Sequence, residues 1–297
     1  MTARCGFVAV VGAPNAGKST LVNALVGQKV AIVAAKAQTT RARLMGIAIH
    51  GEAQILLVDT PGIFAPKRRL DRAMVAAAWD SVRDADLVAL VIDSARGMTA
   101  GVREAIARLA ARPEPRIAVL NKVDLVQKGA LLALAAETDA LLRPEAVFMV
   151  SAATGDGIAD LKAALAAHVP AGPWHFPEDQ VSDATDRMLA AELTREQLYR
   201  QLREELPYDS AVETETWEDR ADGSAAIRQR ILVARDSQKG IVLGKGGARI
   251  KAIGEAARAE LATLLGRKVH LFLHVAVDPK WAEDRSLYRE LGLDWVE

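Results

Sequence analysis

The chain of 297 residues is half hydrophobic (51%) and a quarter charged (26%), the balance of a globular protein with room for about two domains. Its 38 lysines and arginines match its 38 aspartates and glutamates, so any charge used for binding must be segregated locally. A single cysteine, Cys5, excludes an intrachain disulfide and a cysteine-based metal cluster, and no apolar run reaches membrane-spanning length.

The N-terminus enters a strand-like run, Phe7 to Val11, without a signal-peptide pattern, so a cytoplasmic location is expected. Next comes Gly12-Ala13-Pro14-Asn15-Ala16-Gly17-Lys18-Ser19, a glycine and four residues before Gly-Lys-Ser, and Ser19 to Val26 has a helical pattern. The glycines let the backbone wrap closely, with successive N–H groups aimed at phosphate oxygens. Lys18 places a cation against the outer phosphates, the Ser19 hydroxyl suits Mg²⁺, and the positive end of the helix faces the anion. Nucleotide contacts are expected from Gly12, Ala13, Pro14, Asn15, Ala16, Gly17, Lys18, Ser19 and Thr20.

Further strand-like runs lie at Leu44 to Ile49, Gln54 to Val58, Leu87 to Ile92, Ile117 to Leu120 and Val147 to Val150. Helical patterns fall between most of them, at Leu70 to Val82, Ala100 to Ala111 and Ala130 to Leu142, and another follows at Ile158 to His168. This alternation predicts an α/β domain with a mostly parallel sheet covered on both faces and ligands beyond the carboxyl ends of its strands. After Val58, Asp59-Thr60-Pro61-Gly62 offers a carboxylate that holds Mg²⁺ through water and a Gly62 N–H for the terminal phosphate. After Leu120 comes Asn121-Lys122-Val123-Asp124, where the Asp124 carboxylate suits the N1–H and 2-amino donors of guanine. Adenine lacks both donors, and a site built around them rejects such an analogue by about 10⁴–10⁵. Asn121 is placed to bridge base and phosphate loop, and the Lys122 stem to cover the ring. After Val150, the turn Ser151-Ala152-Ala153 offers backbone N–H to guanine O6. In Gln38-Thr39-Thr40-Arg41 one threonine is expected to complete the Mg²⁺ shell when the terminal phosphate is present. Thr40 is favoured and Thr39 remains the alternative, because spacing alone does not decide between them. Phe64 to Arg69 is a second candidate switch.

These elements, in this order, resemble the Ras-like GTPases, and more closely their bacterial branch with Asn in the phosphate loop and Thr-Thr-Arg in the first switch. The resemblance implies the doubly wound P-loop GTPase fold. Ile63 stands where Ras-like enzymes carry a water-orienting glutamine, which implies slow hydrolysis by the protein alone. Asn15 resembles the asparagine that helps to hold K⁺ in relatives, at the place of an arginine finger, so K⁺-stimulated hydrolysis is expected.

Pro170, Gly172, Pro173 and Pro177 make the clearest compositional break. It divides the chain into a GTP-binding domain (1–172), a linker (173–182) and a second domain (183–297). There, Asp183 to Glu205 reads as one long helix with an apolar stripe of Met188, Leu189, Leu193, Leu198 and Leu202. Strands are expected at Ala211 to Trp217 and Ala226 to Ala234, joined at Asp222-Gly223. A short helical run Gln238 to Leu243, the loop Gly244-Lys245-Gly246-Gly247 and a helix from Ala248 to Leu265 follow. A strand from Lys268 to Val277 and a short helix from Ala282 to Leu291 end the pattern, with His270 and His274 read as strand residues rather than metal ligands. Gly-x-x-Gly between two helices is the clamp with which a KH domain grips single-stranded RNA. The order helix–strand–strand–helix–helix–strand resembles the smaller, α+β, type II form. RNA contacts are expected from Gly244, Lys245, Gly246, Gly247, Arg249 and Lys251. Charge supports this: Arg235 to His270 holds eight Lys or Arg against three acidic residues, whereas Glu178 to Asp222 holds five against fourteen.

A Ras-like GTPase domain followed by a type II KH domain resembles the Era family over nearly the whole chain. The resemblance includes Gln38-Thr39-Thr40-Arg41, His175-Phe176-Pro177-Glu178-Asp179, Glu205-Leu206-Pro207-Tyr208 and the stretch from Gly246 to Gly254. Ala13, in place of a basic residue, and Ala35, in a variable part of the switch, depart mildly from it. The resemblance implies a GTP-controlled ribosome-assembly factor that carries Mg²⁺ with GTP or GDP. Its expected partners are the 3′ end of 16S rRNA and the small (30S) ribosomal subunit, with peripheral association at the inner membrane and no DNA.

Overall fold

The computed structural model describes residues 2–34, 40–41, 44–66, 68–202 and 206–296. They group into two compact units that divide between Asp183 and Ala184, with residues from Leu291 onward belonging to the first and residues 32–34 to the second.

In the first unit, β1 (Arg4–Gly12), β2 (Leu44–His50), β3 (Ala53–Asp59), β4 (Leu87–Asp93), β5 (Arg116–Asn121) and β6 (Val147–Met149) form one sheet in the order β2-β3-β1-β4-β5-β6. Every pairing is parallel except β2 with β3. The central strands are near-continuous apolar runs because both faces are covered. Val8 and Val10 point to one face, where α1 (Lys18–Val26) and α5 (Ile158–His168) supply Leu21, Leu25, Leu161 and Leu165. Ala9 and Val11 point to the other, packed with residues of α2 (Arg69–Arg83), α3 (Ala100–Ala110) and α4 (Lys128–Leu142). The period of two along β1 thus feeds two cores at once. Local chemistry sets the helix starts: Thr99 Oγ1 accepts the Val102 N–H (3.3 Å), and the Asp71 carboxylate accepts the Arg68 N–H (3.0 Å).

The strand order reverses at β1, so the crevice for a ligand opens beyond its carboxyl end. Gly12, Asp59, Asp93 and Asn121 terminate β1, β3, β4 and β5 around that point.

The segment expected as a linker is hydrogen-bonded to this unit. Buried Gln54 accepts the N–H of His175 (2.9 Å) and Phe176 (3.1 Å) and donates to the Phe176 carbonyl (2.8 Å). Farther on, Ile47 N–H donates to the Val181 carbonyl (2.8 Å), Gly46 bridges Ser182 antiparallel, and Asp183 accepts the Met45 N–H (3.0 Å). Residues 181–183 thereby cover the free edge of β2.

The second unit runs α6 (Asp186–Gln201), β7 (Ser210–Asp219), β8 (Ala225–Val233), α7 (Asp236–Leu243), α8 (Ala248–Leu265), β9 (Val269–Val277) and α9 (Arg285–Glu290). β8 is central, antiparallel to β7 and parallel to β9. Its core gathers Leu198, Leu202, Ile231, Val233, Val242, Ile253 and Val275.

Two expectations need correction here. The first helix starts at Asp186 rather than Asp183, because Thr185 Oγ1 caps it by accepting the Met188 N–H (3.3 Å). It stops at Gln201, where Leu202 turns extended; residues 203–205 lie outside the described set. Nor is it striped. From Glu192 to Tyr199 every residue is buried, while Met188 and Leu189 are only half-buried. Polar side chains there find partners: Arg195 Nε donates to Glu192 (2.8 Å), and Thr194 Oγ1 to Gln229 (2.6 Å). The expected helix from Ala282 to Leu291 is split into a 3₁₀ turn, Trp281–Glu283, and α9. Between the two, Asp284 is extended, and its carboxylate accepts the Ser286 N–H (2.8 Å), so the helix has to start afresh.

Candidate active site

The loop after β1 closes on itself through the Ala16 N–H and the Ala13 carbonyl (3.2 Å). Gly17 is left-handed (φ 91°), and a Cβ there would lie 2.3 Å from Asn121 Nδ2, so no side chain fits between this loop and β5. Lys18 is buried, and its ammonium donates to the carbonyls of Gly12 (3.3 Å) and Ala13 (3.2 Å). Burial pushes it down to about 8, against the upward pull of the Asp59 carboxylate. A cation so placed favours an anionic ligand at the N-terminus of α1, whose first turn contains Ser19 and Thr20.

Ser19 Oγ donates to Asp59 Oδ2 at 2.7 Å. Thr40 Oγ1 lies 2.8 Å from Ser19 Oγ and donates to the same Asp59 oxygen at 3.1 Å. Three hard oxygen donors converge, the set that suits Mg²⁺. Of the two candidate threonines, Thr40 reaches this cluster; Thr39 lies outside the described residues, as do Ala35 and Gln38. The segment after β3 is strapped to the phosphate loop: Thr60 Oγ1 donates to the Val10 carbonyl (2.8 Å), and the Ile63 N–H to the Gly12 carbonyl (2.9 Å). Pro61 and Gly62 are buried between these anchors, and the Ile63 side chain is buried in the core.

On the base side, buried Asn121 joins two loops. Its Nδ2 donates to the Ala16 carbonyl (2.9 Å), and its Oδ1 accepts the N–H of Lys122 (2.8 Å) and of Ala152 (3.0 Å). The Ser151 N–H goes to the Asp156 carbonyl (3.0 Å), so within the turn Ser151-Ala152-Ala153 only the last N–H is left for a base oxygen among the described contacts. Lys122 donates to the Asn15 carbonyl (2.7 Å) and to Asp93 (2.6 Å). Asp124 is exposed at the start of the 3₁₀ turn Val123–Leu125. Asp93 was not among the residues expected here; the signal for it is an acidic residue ending the strand next to Asn121.

In the second unit, Gly244 (φ 71°), Gly246 (φ 60°) and Gly247 (φ 79°) all take positive φ. A Cβ on Gly246 or Gly247 would meet nothing within 4 Å, so this backbone is open to a ligand rather than packed. Lys245 and Lys251 are exposed, Lys251 at 4.0 Å from Glu255. Arg249 donates to the Ile241 carbonyl (2.7 Å), bracing the loop between α7 and α8. Ile241 itself is 48% exposed beside it, an apolar surface that charge and glycine patterns do not announce.

A phosphate loop at the switch point, an Mg²⁺-type oxygen cluster and an Asn-Lys-x-Asp base loop define a P-loop GTPase. Comparison with known proteins agrees: residues 7–122 match the 50S ribosome-binding GTPase family, and residues 205–282 the KH domain family. The chain is 60% identical over 297 residues to the GTPase Era of Erythrobacter litoralis, covering 99% of this chain and 98% of that one. It is 56% identical over 292 residues to the GTPase Era of Rhizobium meliloti, covering 98% and 93%. Two solved structures match at a TM-score of 0.91: Era in complex with MgGDPNP and nucleotides 1506–1542 of 16S ribosomal RNA (37% identity, 98% and 99% covered), and an Aquifex aeolicus Era variant bound to GDP·AlF4⁻ (38%, 97% and 99%). The chain belongs to the Era family of GTPases.

Proposed function

We propose that this GTPase is a switch for small-subunit assembly, binding the 3′ end of 16S rRNA through its Gly-x-x-Gly loop under control of GTP. The observation that carries the nucleotide half is the meeting of Ser19, Thr40 and Asp59 beside Lys18. Ser19 and Thr40 would hold Mg²⁺ directly and Asp59 through water; bound there, the ion neutralises charge on the phosphate oxygens. Lys18 balances charge on the outer phosphates, and Asp124 selects guanine by accepting its two donors. Water attacks the γ-phosphorus in line: the new P–O bond forms as the bond to the GDP oxygen breaks, and the proton leaves with phosphate. Ile63 offers that water no polar side chain, so turnover by the protein alone is slow. Asn15 is where K⁺ would stand in for an arginine finger, adding positive charge as the bond breaks. Hydrolysis in KCl should therefore exceed that in NaCl several-fold, and equal rates remove K⁺ from the account.

The RNA half is supported by the open, left-handed glycine backbone with Lys245, Arg249 and Lys251 around it, and by the Era relative solved with a 16S rRNA segment. We take residues 1–172 as the GTP-binding part of the sequence and 183–297 as the RNA-binding part; residues 175–183 pack onto the first compact unit rather than forming a free connector, and residues from Leu291 onward group with that unit as well. The family reading also implies a cytoplasmic protein with peripheral contact at the inner membrane; among the described residues no helix is long and apolar enough to cross one. Binding of GTP against ATP, and of the single-stranded 3′ tail of 16S rRNA against an unrelated strand, tests both halves. Uptake of ATP as readily as GTP, or indifference to the tail, overturns the reading.

A further inference from the structure

We propose that Asp93 is a positioning residue of the guanine site, holding Lys122 in the place from which its stem covers the base; the inference rests on the nucleotide site described above. Asp93 ends β4 and stands in register with Asn121 on β5, one residue before Lys122. Topology, not sequence proximity, brings the pair together.

Asp93 is built to stay where it is. It is buried, and one carboxylate oxygen accepts the backbone N–H of Ala95 (3.0 Å) and Arg96 (3.3 Å). The other oxygen receives the Lys122 ammonium at 2.6 Å, a charge-assisted bond with its acceptor already fixed. Lys122 needs such an anchor. Its backbone is left-handed (φ 65°), and its side chain is a flexible four-carbon stem. With the head tied to Asp93 and to the Asn15 carbonyl (2.7 Å), the stem passes over the phosphate loop, its Cε 3.8 Å from where a Gly17 Cβ would stand. An ammonium has three donors, and these bonds occupy two. Asp93 makes no hydrogen bond to the phosphate-side cluster of Ser19, Thr40 and Asp59 among the described contacts. Its influence should therefore fall on nucleotide retention and not on the chemical step.

The test is GDP and GTP affinity and GDP release, by a fluorescent nucleotide, for wild type, Asp93→Asn, Asp93→Glu, Lys122→Met and the double variant Asp93→Asn/Lys122→Met. Asp93→Asn should weaken GDP binding about tenfold or more, mostly through faster release. The GTPase loss should appear in KM rather than kcat. Asp93→Glu, which keeps the charge, should recover most of the affinity. In the Lys122→Met background, Asp93→Asn should add less than about twofold, because the partner is already gone. Thermal unfolding of each variant separates a general loss of fold from this effect. An Asp93→Asn variant that binds GDP as wild type does, or one whose loss is equally large without Lys122, overturns the role of Asp93 alone. Wild type that fails to bind guanine nucleotide overturns the site itself.

Discussion

Lys18 shows how one residue ties electrostatics to ligand choice. Held near 8 by burial, it loses its proton above that pH in the nucleotide-free protein but keeps it beside phosphates. Proton uptake then accompanies binding, so GDP affinity should fall about tenfold per pH unit once pH exceeds about 8, with the slope absent in Lys18→Met. Titration of a fluorescent GDP analogue from pH 7 to 9 reads this directly, and a flat wild-type profile contradicts it. The same lowered value means that the unfolded chain holds this proton more tightly, so the free protein gains stability as pH rises from about 8 towards the ordinary lysine range. Asp124 makes the companion prediction. Asp124→Asn replaces an acceptor by a donor, so GTP affinity should drop on the order of a hundredfold or more while xanthosine triphosphate gains. Competition between the two nucleotides measures it. Motif residues such as these were recognisable as candidates in the sequence because their chemistry is local. Asp93 was not, because its partner lies on another strand, and an acid ending a strand also reads as an ordinary turn.

At the scale of elements, the α/β half followed its pattern closely because strands buried on both faces and helices between them leave strong periodic signals. α6 broke the pattern for a physical reason. Its polar residues are buried with partners, Arg195 with Glu192 and Thr194 with Gln229, so hydrophobic periodicity no longer marks the inward side. The cover of β2 by residues 181–183 was equally hidden, since a three-residue edge pairing has no periodicity to find. The Gly-x-x-Gly loop was legible because three left-handed positions demand glycine. Gly246→Asp places a side chain at φ 60° and a negative charge where phosphate is expected to approach. RNA affinity should fall about tenfold or more with GDP binding nearly unchanged. Parallel filter-binding and nucleotide titrations decide this; equal losses in both would show that the loop supports the whole protein rather than the RNA contact.

For the whole molecule, the question is how one site informs the other. Thr40 joins the Ser19–Asp59 cluster, and β2 begins shortly after it at Leu44. The outer edge of β2 is hydrogen-bonded to residues 181–183, directly before the chain enters the second unit at Ala184. Loss of the γ-phosphate would release Thr40 at one end of this covalent and hydrogen-bonded route. A nucleotide can shift RNA affinity only by its differential affinity for the two states, so the coupling is reciprocal. The most direct measurement is the affinity of the full chain for the single-stranded 3′ tail of 16S rRNA with a non-hydrolysable GTP analogue, with GDP and with the matching ATP analogue. GTP control of RNA binding requires a difference of at least about fivefold between the GTP analogue and GDP, with the ATP analogue failing to reproduce the effect of the GTP analogue. The same RNA affinity under all three conditions would contradict it.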